Sequence, residues 1–393
     1  MSVRMEVRFY SALMLSLPFC SIAVSPLSHA DTQTRPETAN SQAAMLTPTP
    51  ALPYPVADPQ LGEKLYPNEA LYAQQIGVEL EKLIRKRDAQ GQAHRDVHPK
   101  AHGCVKAQFR VLDQLPAQFS QGMFKPGQNY PAWIRFSNGS PKPDHADIKR
   151  DARGMAIKVM NVPGQKLLED ESQASTQDFI LINHPVFFAN EPDRYLALMK
   201  DMNGGFLKKL QIPFSLGFKG SKIAFQTSRS RIGNPLQARY WSMVPYQLGT
   251  GASRNAVKYS VRPCTARQDA IPAHPDHNYL RGALKQSLNA GDVCMEFLVQ
   301  PHTSTALSVE DSMTEWKESD APFYKVATLT IPQQTFDTPA QNQMCENLSF
   351  SPWHALPEHR PLGAANRMRK VIYDHISRVR HQMNAVPRQE PES

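Results

Sequence analysis

The apolar and polar positions of the chain follow two periods. Strict alternation runs through Cys104-Val105-Lys106-Ala107-Gln108-Phe109-Arg110-Val111 and predicts a strand over residues 104–112 with one buried face. Similar short runs at 132–136, 154–160 and 179–182, and again at 256–261, 294–299 and 324–331, predict further strands. Pro, Gly, Asn and Asp punctuate the connections, as turns require. A helical period predicts a helix over 69–87, with Leu71, Ile76, Leu80, Leu83 and Ile84 on one stripe and Asn68 as its cap. Further helices are predicted over 193–202, 276–288 and 364–381. About seven or eight strands without strand–helix–strand alternation predict an α+β fold. Its core would be an antiparallel barrel or sheet with flanking helices, not a doubly wound sheet.

The ends of the chain read differently. Arg4 and Arg8 precede an apolar run from Phe9 to Val24, and Ser28-His29-Ala30 places small residues before a break. Residues 1–30 are therefore expected to be a signal peptide cleaved after Ala30, with the mature protein periplasmic or secreted. The run is short for a span and carries Pro18, and Phe19 before Cys20 suits lipidation poorly, so no stable membrane anchor is expected. Residues 31–60, rich in Thr, Pro, Ala and Gln, read as a disordered tether, 61–385 as one domain, and 386–393 as a disordered tail. Four cysteines remain after cleavage. Antiparallel pairing of the strands carrying Cys264 and Cys294 would bring these two together; four buried thiols is the competing reading.

Charge narrows the partners. The chain has 393 residues, a formal net charge of +8 and 41% hydrophobic residues, enough for one large domain or two ordinary ones. The basic residues are dispersed and not interleaved with aromatics, which suits an anionic ligand and not a nucleic acid. Arg367, Arg369, Lys370, Arg378 and Arg380 on the last helix read mostly as a solvated face, and Glu310, Asp311 and Glu315 as surface carboxylates. His94, His98 and His102 have the spacing of a helical metal face, but Pro99 and the following strand argue against a helix there.

Four segments carry polar residues that a strand pattern does not require. They are Arg95-Asp96-Val97-His98, Ile134-Arg135-Phe136-Ser137-Asn138-Gly139, Arg150-Asp151-Ala152-Arg153-Gly154-Met155-Ala156-Ile157-Lys158, and Gln177 to Phe188 with Asn183-His184-Pro185-Val186-Phe187-Phe188 at its end. An arginine inside an apolar strand needs an anionic partner, and a histidine held by a sheet edge can perform acid–base chemistry.

In this order the four segments resemble the catalase family. His359-Arg360-Pro361-Leu362-Gly363 resembles a fifth segment of that family, with one inserted proline. The resemblance covers about residues 65–380, in a chain shorter than typical catalases, so it points to the small bacterial catalase-like haem proteins. It implies an antiparallel β-barrel flanked by helices, with haem, taken as haem b, between barrel and helices. It makes His98 the distal acid–base, Ser137 the group that fixes its tautomer, and Val97 a constriction over the iron. Arg95, Arg135 and Arg360 would pair with the propionates, and Phe187 and Tyr195 would stack beside the haem.

Two departures stand out. The family's iron ligand is a tyrosine in an Arg-x-x-x-Tyr segment, seven residues before the propionate arginine. Counted from Arg360, these positions hold Trp353 and Ser349. Indole has no lone pair for a metal, so His354 becomes the expected iron ligand, with His359, Tyr373, an open face or no haem as alternatives. The family's distal asparagine falls on Ile182, with Asn183 one place late and pointing to the other face.

The expected function is that of an exported haem-binding protein that oxidises an unknown reductant with peroxide, with weak or no catalase turnover and possible homo-oligomeric assembly. The alternative is a non-enzymatic binder of haem or another hydrophobic anion on the same barrel.

Overall fold

The computed structural model describes residues 53–391. The expected signal peptide and most of the expected tether, residues 1–52, lie outside the described residues, as do residues 392 and 393. The strands are β1 (Ala101–Val111), β2 (Asn129–Asn138), β3 (Arg153–Val159), β4 (Gln177–Ile182), β5 (Tyr240–Trp241), β6 (Tyr246–Leu248), β7 (Asn255–Pro263), β8 (Val293–Pro301) and β9 (Tyr324–Ile331). The helices are α1 (Glu69–Arg87), α2 (Pro192–Asn203), α3 (Phe206–Lys209), α4 (Ile212–Thr227), α5 (Tyr279–Ala290), α6 (Pro339–Asn347) and α7 (Gly363–Met383).

All strand pairings are antiparallel, in the order β5-β4-β3-β2-β1-β9-β8-β7-β6. β5 also pairs with β7, through Tyr240↔Val261 and Trp241↔Ser260, so eight strands close into a barrel and β6 extends along β7. Closure leaves the barrel no free edge. The barrel is filled. Phe109, Phe124, Phe179, Tyr259 and Phe297 meet inside it at ring-centroid distances of 4.8–6.4 Å. Burying each such ring is worth roughly 1.5–3 kcal/mol.

Because the interior is occupied, the chemistry sits on the outer wall, and strand alternation decides which residues reach it. Ile134 and Phe136, Met155 and Ile157, and Phe179 and Leu181 belong to the barrel core. Their neighbours point outward in cross-strand rows. One row is Trp133, Lys158 and Asp178; the next is Arg135, Ala156 and Ile180; the third is Ser137, Gly154 and Ile182. The register of β1 against β2 shifts between Ala101 and Gly103, beside Ser137 and just after His98. Such irregularities re-aim side chains next to functional sites.

The helices cover this wall. α1 packs on α2 and α7, joined by an apolar cluster of Ile76, Leu80, Leu196, Met199, Met368 and Ile372. α7 is not a solvated basic face. Arg367 is fully buried and binds Glu63, Glu69 and Glu310, each at 2.8 Å, so Glu310 is no surface carboxylate. Lys370 and Arg380 are buried as well. Asn68 gives α1 no side-chain cap and adopts φ 59°. Disulfides join Cys264 to Cys294, as the antiparallel pairing suggests, and Cys104 to Cys345, tying β1 to α6.

Candidate functional site

A cleft of about 770 Å³, counting its open mouth, lies between the outer barrel wall and α7. That is within the range of about 300–1,000 Å³ usual for cofactor sites. One side is built from Arg135 and Ser137 of β2, Gly154 and Ala156 of β3 and Ile180 of β4, with Arg95, Val97 and His98 from the loop before β1. The other side is one face of α7, Ile372, Tyr373, Ile376, Ser377 and Arg380, joined by Ser349 and Phe350.

His98 is held in an unusual backbone state, φ 58°, which favours glycine and must be supported by its surroundings. Its amide donates to the Gly139 carbonyl at 3.4 Å, its carbonyl accepts from Arg135 at 2.8 Å, and Nδ1 lies 3.0 Å from Ser137 Oγ. Gly154 makes room for the ring. A Cβ there would lie 2.5 Å from His98 Nδ1 and 2.7 Å from Ser137 Oγ. Burial, with the nearby guanidiniums of Arg135 and Arg369, lowers the imidazole pKa to about 3. The ring is therefore neutral at physiological pH, with one nitrogen able to accept a proton.

Three arginines surround one end of the cleft. Arg95 binds Glu346 at 3.0 Å, and Arg380 donates to the carbonyls of Glu346 and Leu348. Arg135 is 3% exposed, donates only to the carbonyls of His98 and Pro99, and has no partner for Nε among the described residues. Burial and the charge of Arg95 push the pKa of Arg135 well down, and the same two causes bring Arg380 to about 9. Three guanidiniums thus share one bonded carboxylate, an imbalance that an anionic ligand would relieve.

On α7, Arg369 Nη2 donates to the Tyr373 hydroxyl at 3.0 Å and its guanidinium lies 5.2 Å from the ring centre. Arg369, Tyr373 and Arg380 reproduce the Arg-x-x-x-Tyr spacing and the arginine seven residues on that are missing around Trp353. The sequence contained this signal. The His359-Arg360 segment drew the count to the wrong stretch.

His354 is not in the cleft. Its Nδ1 lies 2.7 Å from Asp178 and its Nε2 2.8 Å from Glu171, in a buried cluster with Lys158 and Arg388 on the neighbouring row of the wall. Burial alone would lower its pKa, but the Asp178 and Glu171 carboxylates together outweigh burial and raise it. Both nitrogens serve carboxylates, so neither offers a lone pair to iron. Glu171, His354 and Glu390 also have metal-ligand spacing, yet Lys158, 2.8 Å from Glu390, and Arg388 supply the cations there. Arg388 and Glu390 belong to the tail read as disordered, which is described here to residue 391 and packs on this cluster.

His359 lies inside the barrel, its Nε2 accepting from the Met123 amide at 3.1 Å and its Nδ1 3.2 Å from the Tyr259 hydroxyl. Arg360 is ion-paired with Glu63 at 2.7 Å and does not line the cleft; Arg380 does. Phe187 and Tyr195 form an aromatic group with Phe188 and are not among the lining residues. Trp353 is buried and donates its indole N–H to the Asn366 carbonyl at 2.8 Å. Asn183 is turned away, accepting from the Arg153 amide at 2.6 Å and donating to Ser230 at 2.7 Å. The lining residues include no side-chain amide.

The family model described as Catalase matches residues 66–204, which hold His98, Arg135 and Ser137. That segment is a match to the catalase family, and the relatives and solved structures similar to the chain carry catalase names as well. It is 26% identical to the catalase-related peroxidase of Mycolicibacterium paratuberculosis, over 52% of this chain and 65% of that protein. It is 22% identical to the catalase of the Onchocerca volvulus endobacterium, over 77% of this chain and 64% of that one. The chain thus spans slightly less than two thirds of these relatives. Among solved structures a fungal catalase superposes with a TM-score of 0.60 at 17% identity, over 75% of this chain and 60% of that one. Catalase A of Saccharomyces cerevisiae gives 0.57 at 18% identity, over 75% and 64%. These structures share the catalase barrel and its flanking helices. The α7 side of the cleft, with Tyr373 and Arg380 and with Arg369 behind Tyr373, lies beyond residues 66–204, so its assignment rests on the cleft geometry and the Arg-x-x-x-Tyr spacing.

Proposed function

We propose that this chain is an exported haem-binding protein of the catalase family that uses peroxide to oxidise an organic reductant. The observation that carries the reading is the buried, carboxylate-poor arginine group. Arg95, Arg135 and Arg380 suit the two carboxylates of haem b, and the unpartnered Arg135 Nε is the kind of group such a ligand satisfies. Tyr373 is the residue that would hold the iron: its phenol ring lines the cleft that holds His98, and the Arg369 guanidinium orients its oxygen through a 3.0 Å hydrogen bond. Haem would supply the redox-active iron.

The protein's part is proton handling. Neutral His98 accepts the peroxide proton and returns it to the leaving oxygen as the O–O bond breaks. Ser137 at 3.0 Å fixes which ring nitrogen is free for this, and Val97, 40% exposed, narrows the approach. The ordered His98–Ser137–Gly154 arrangement supports an enzyme over a passive carrier, since binding alone makes no use of a positioned imidazole. Tyr373 removes the missing-tyrosine argument against catalase turnover; the absence of a lining amide remains the basis for favouring peroxidase-type oxidation.

The test is reconstitution of the purified chain with haemin, followed by parallel assays of oxygen release from peroxide and peroxide-dependent oxidation of a phenolic dye. Dye oxidation exceeding oxygen release is expected. Haemin binding without either reaction would leave a carrier, and no haemin binding would remove the reading altogether.

A further inference from the structure

Residues 206–225 present an apolar surface that the fold does not use. α4 already buries one side: Gly220 and Ile223 are buried and Ile212 and Leu216 pack on the helical cluster. A Cβ on Gly220 would lie 2.7 Å from the Phe188 carbonyl oxygen, so this side sits hard against the body. The other side is apolar as well. Phe214 is 82% exposed and Phe218 89%, and Phe206, Leu207, Leu210 and Phe225 are exposed beside them. A helix that is apolar on both faces is normally buried on both. Gly217, at φ 65°, kinks α4 between the two most exposed phenylalanines.

The charges within this segment have one sign, although Asp201 and Asp311 lie against it. Residues 202–231 contain Lys208, Lys209, Lys219, Lys222, Arg229 and Arg231 and no Asp or Glu. Lys219 reaches Asp311 at 3.5 Å, but among the described residues the other five have no carboxylate partner. No helix among the described residues is long and apolar enough to cross a membrane. Aromatic and leucine side chains projecting from a short, kinked, cationic segment have the composition of an element that lies in the plane of an anionic bilayer surface. A second copy fits less well. A two-fold contact through this patch would set its cations against the same cations of the partner.

We propose that residues 206–225 dock the protein peripherally on an anionic phospholipid surface, with Phe214 and Phe218 entering the acyl boundary and Lys209 and Lys222 contacting phosphate groups. The full chain carrying Phe218→Trp reports this directly, whatever any other segment does. Trp133, Trp316 and Trp353 are buried and Trp241 is half-buried, so the unsubstituted chain with the same vesicles gives the background that is subtracted. With phosphatidylglycerol vesicles the variant's emission shifts to the blue and is quenched by brominated acyl chains. With phosphatidylcholine vesicles both effects are absent. Adding Lys209→Glu and Lys222→Glu weakens the effect by about tenfold or more at low salt, since each basic residue near such a surface contributes about fivefold. An emission unchanged by anionic vesicles overturns the proposal, and so does an equal response to both lipids. A blue shift that appears with rising protein concentration in the absence of lipid assigns the patch to a second copy and also overturns it.

Discussion

Arg369 donates a 3.0 Å hydrogen bond to the hydroxyl of Tyr373, one helical turn further along α7, in the wall of the cleft that also holds His98. The guanidinium is half-buried and its pKa is raised: burial lowers it, but the Tyr373 and Tyr246 hydroxyls outweigh burial. Arg369→Met removes the donor while keeping an apolar stem of similar reach. The expected outcome is retained haemin binding with an altered visible spectrum and a slower reaction with peroxide. A variant with the wild-type spectrum and rate would show that the hydrogen bond tunes nothing.

His98 is the group expected to move protons. General acid–base catalysis contributes about 10²–10⁴-fold, so His98→Ala should slow the reaction with peroxide by at least 10² and leave haemin affinity nearly unchanged. Stopped-flow absorbance checks the rate. Ser137→Ala, which loses only the 3.0 Å contact to Nδ1, should fall between the two.

Gly154 offers a steric test of the same arrangement. In Gly154→Ala the new methyl would meet the His98 ring at 2.5 Å and must displace it. Overpacking of this kind costs about 1–3 kcal/mol. Thermal unfolding should register a modest loss while the peroxide rate falls far more, nearly to that of His98→Ala.

Stability should fall with acidification. His98, His102 and His359 are each held at about 3 by burial, below the ordinary value of about 6.5. Between those values the unfolded chain binds protons that the folded chain does not, so each histidine removes about 1.4 kcal/mol per pH unit as pH falls. His354 works in the opposite sense: its contribution is complete below pH 6.5 and is lost as pH rises through its raised folded value. Urea unfolding of the haem-free chain between pH 7 and 4.5 measures the balance, and the three neutral histidines should dominate. In His359→Gln the slope should be shallower by one histidine's share.

Most of the barrel could be read from short apolar runs bounded by turn residues: β1 alternates clearly, whereas β2, β3 and β7 are buried on both faces. β5 and β6 were missed because segments of two and three residues carry no period, although β5 closes the barrel. The barrel side of the site was legible, since Arg135 and Ser137 are polar residues at alternating strand positions. The α7 side was not, for a physical reason. A cationic run on a terminal helix usually faces water, and only the tertiary partners, Glu63, Glu69 and Glu310 for Arg367 and the Glu346 and Leu348 carbonyls for Arg380, reveal that this one is turned inward. With that run set aside as surface, Tyr373 remained only an alternative to His354.

The most direct measurement is a haemin titration followed by visible and electron paramagnetic resonance spectra, comparing wild type, Tyr373→Phe and His354→Ala. Tyr373→Phe is predicted to lose the wild-type spectrum and bind haemin more weakly, while His354→Ala keeps the wild-type spectrum. A wild-type spectrum in Tyr373→Phe, or its loss in His354→Ala, would contradict the assignment of Tyr373 as the iron ligand in this cleft.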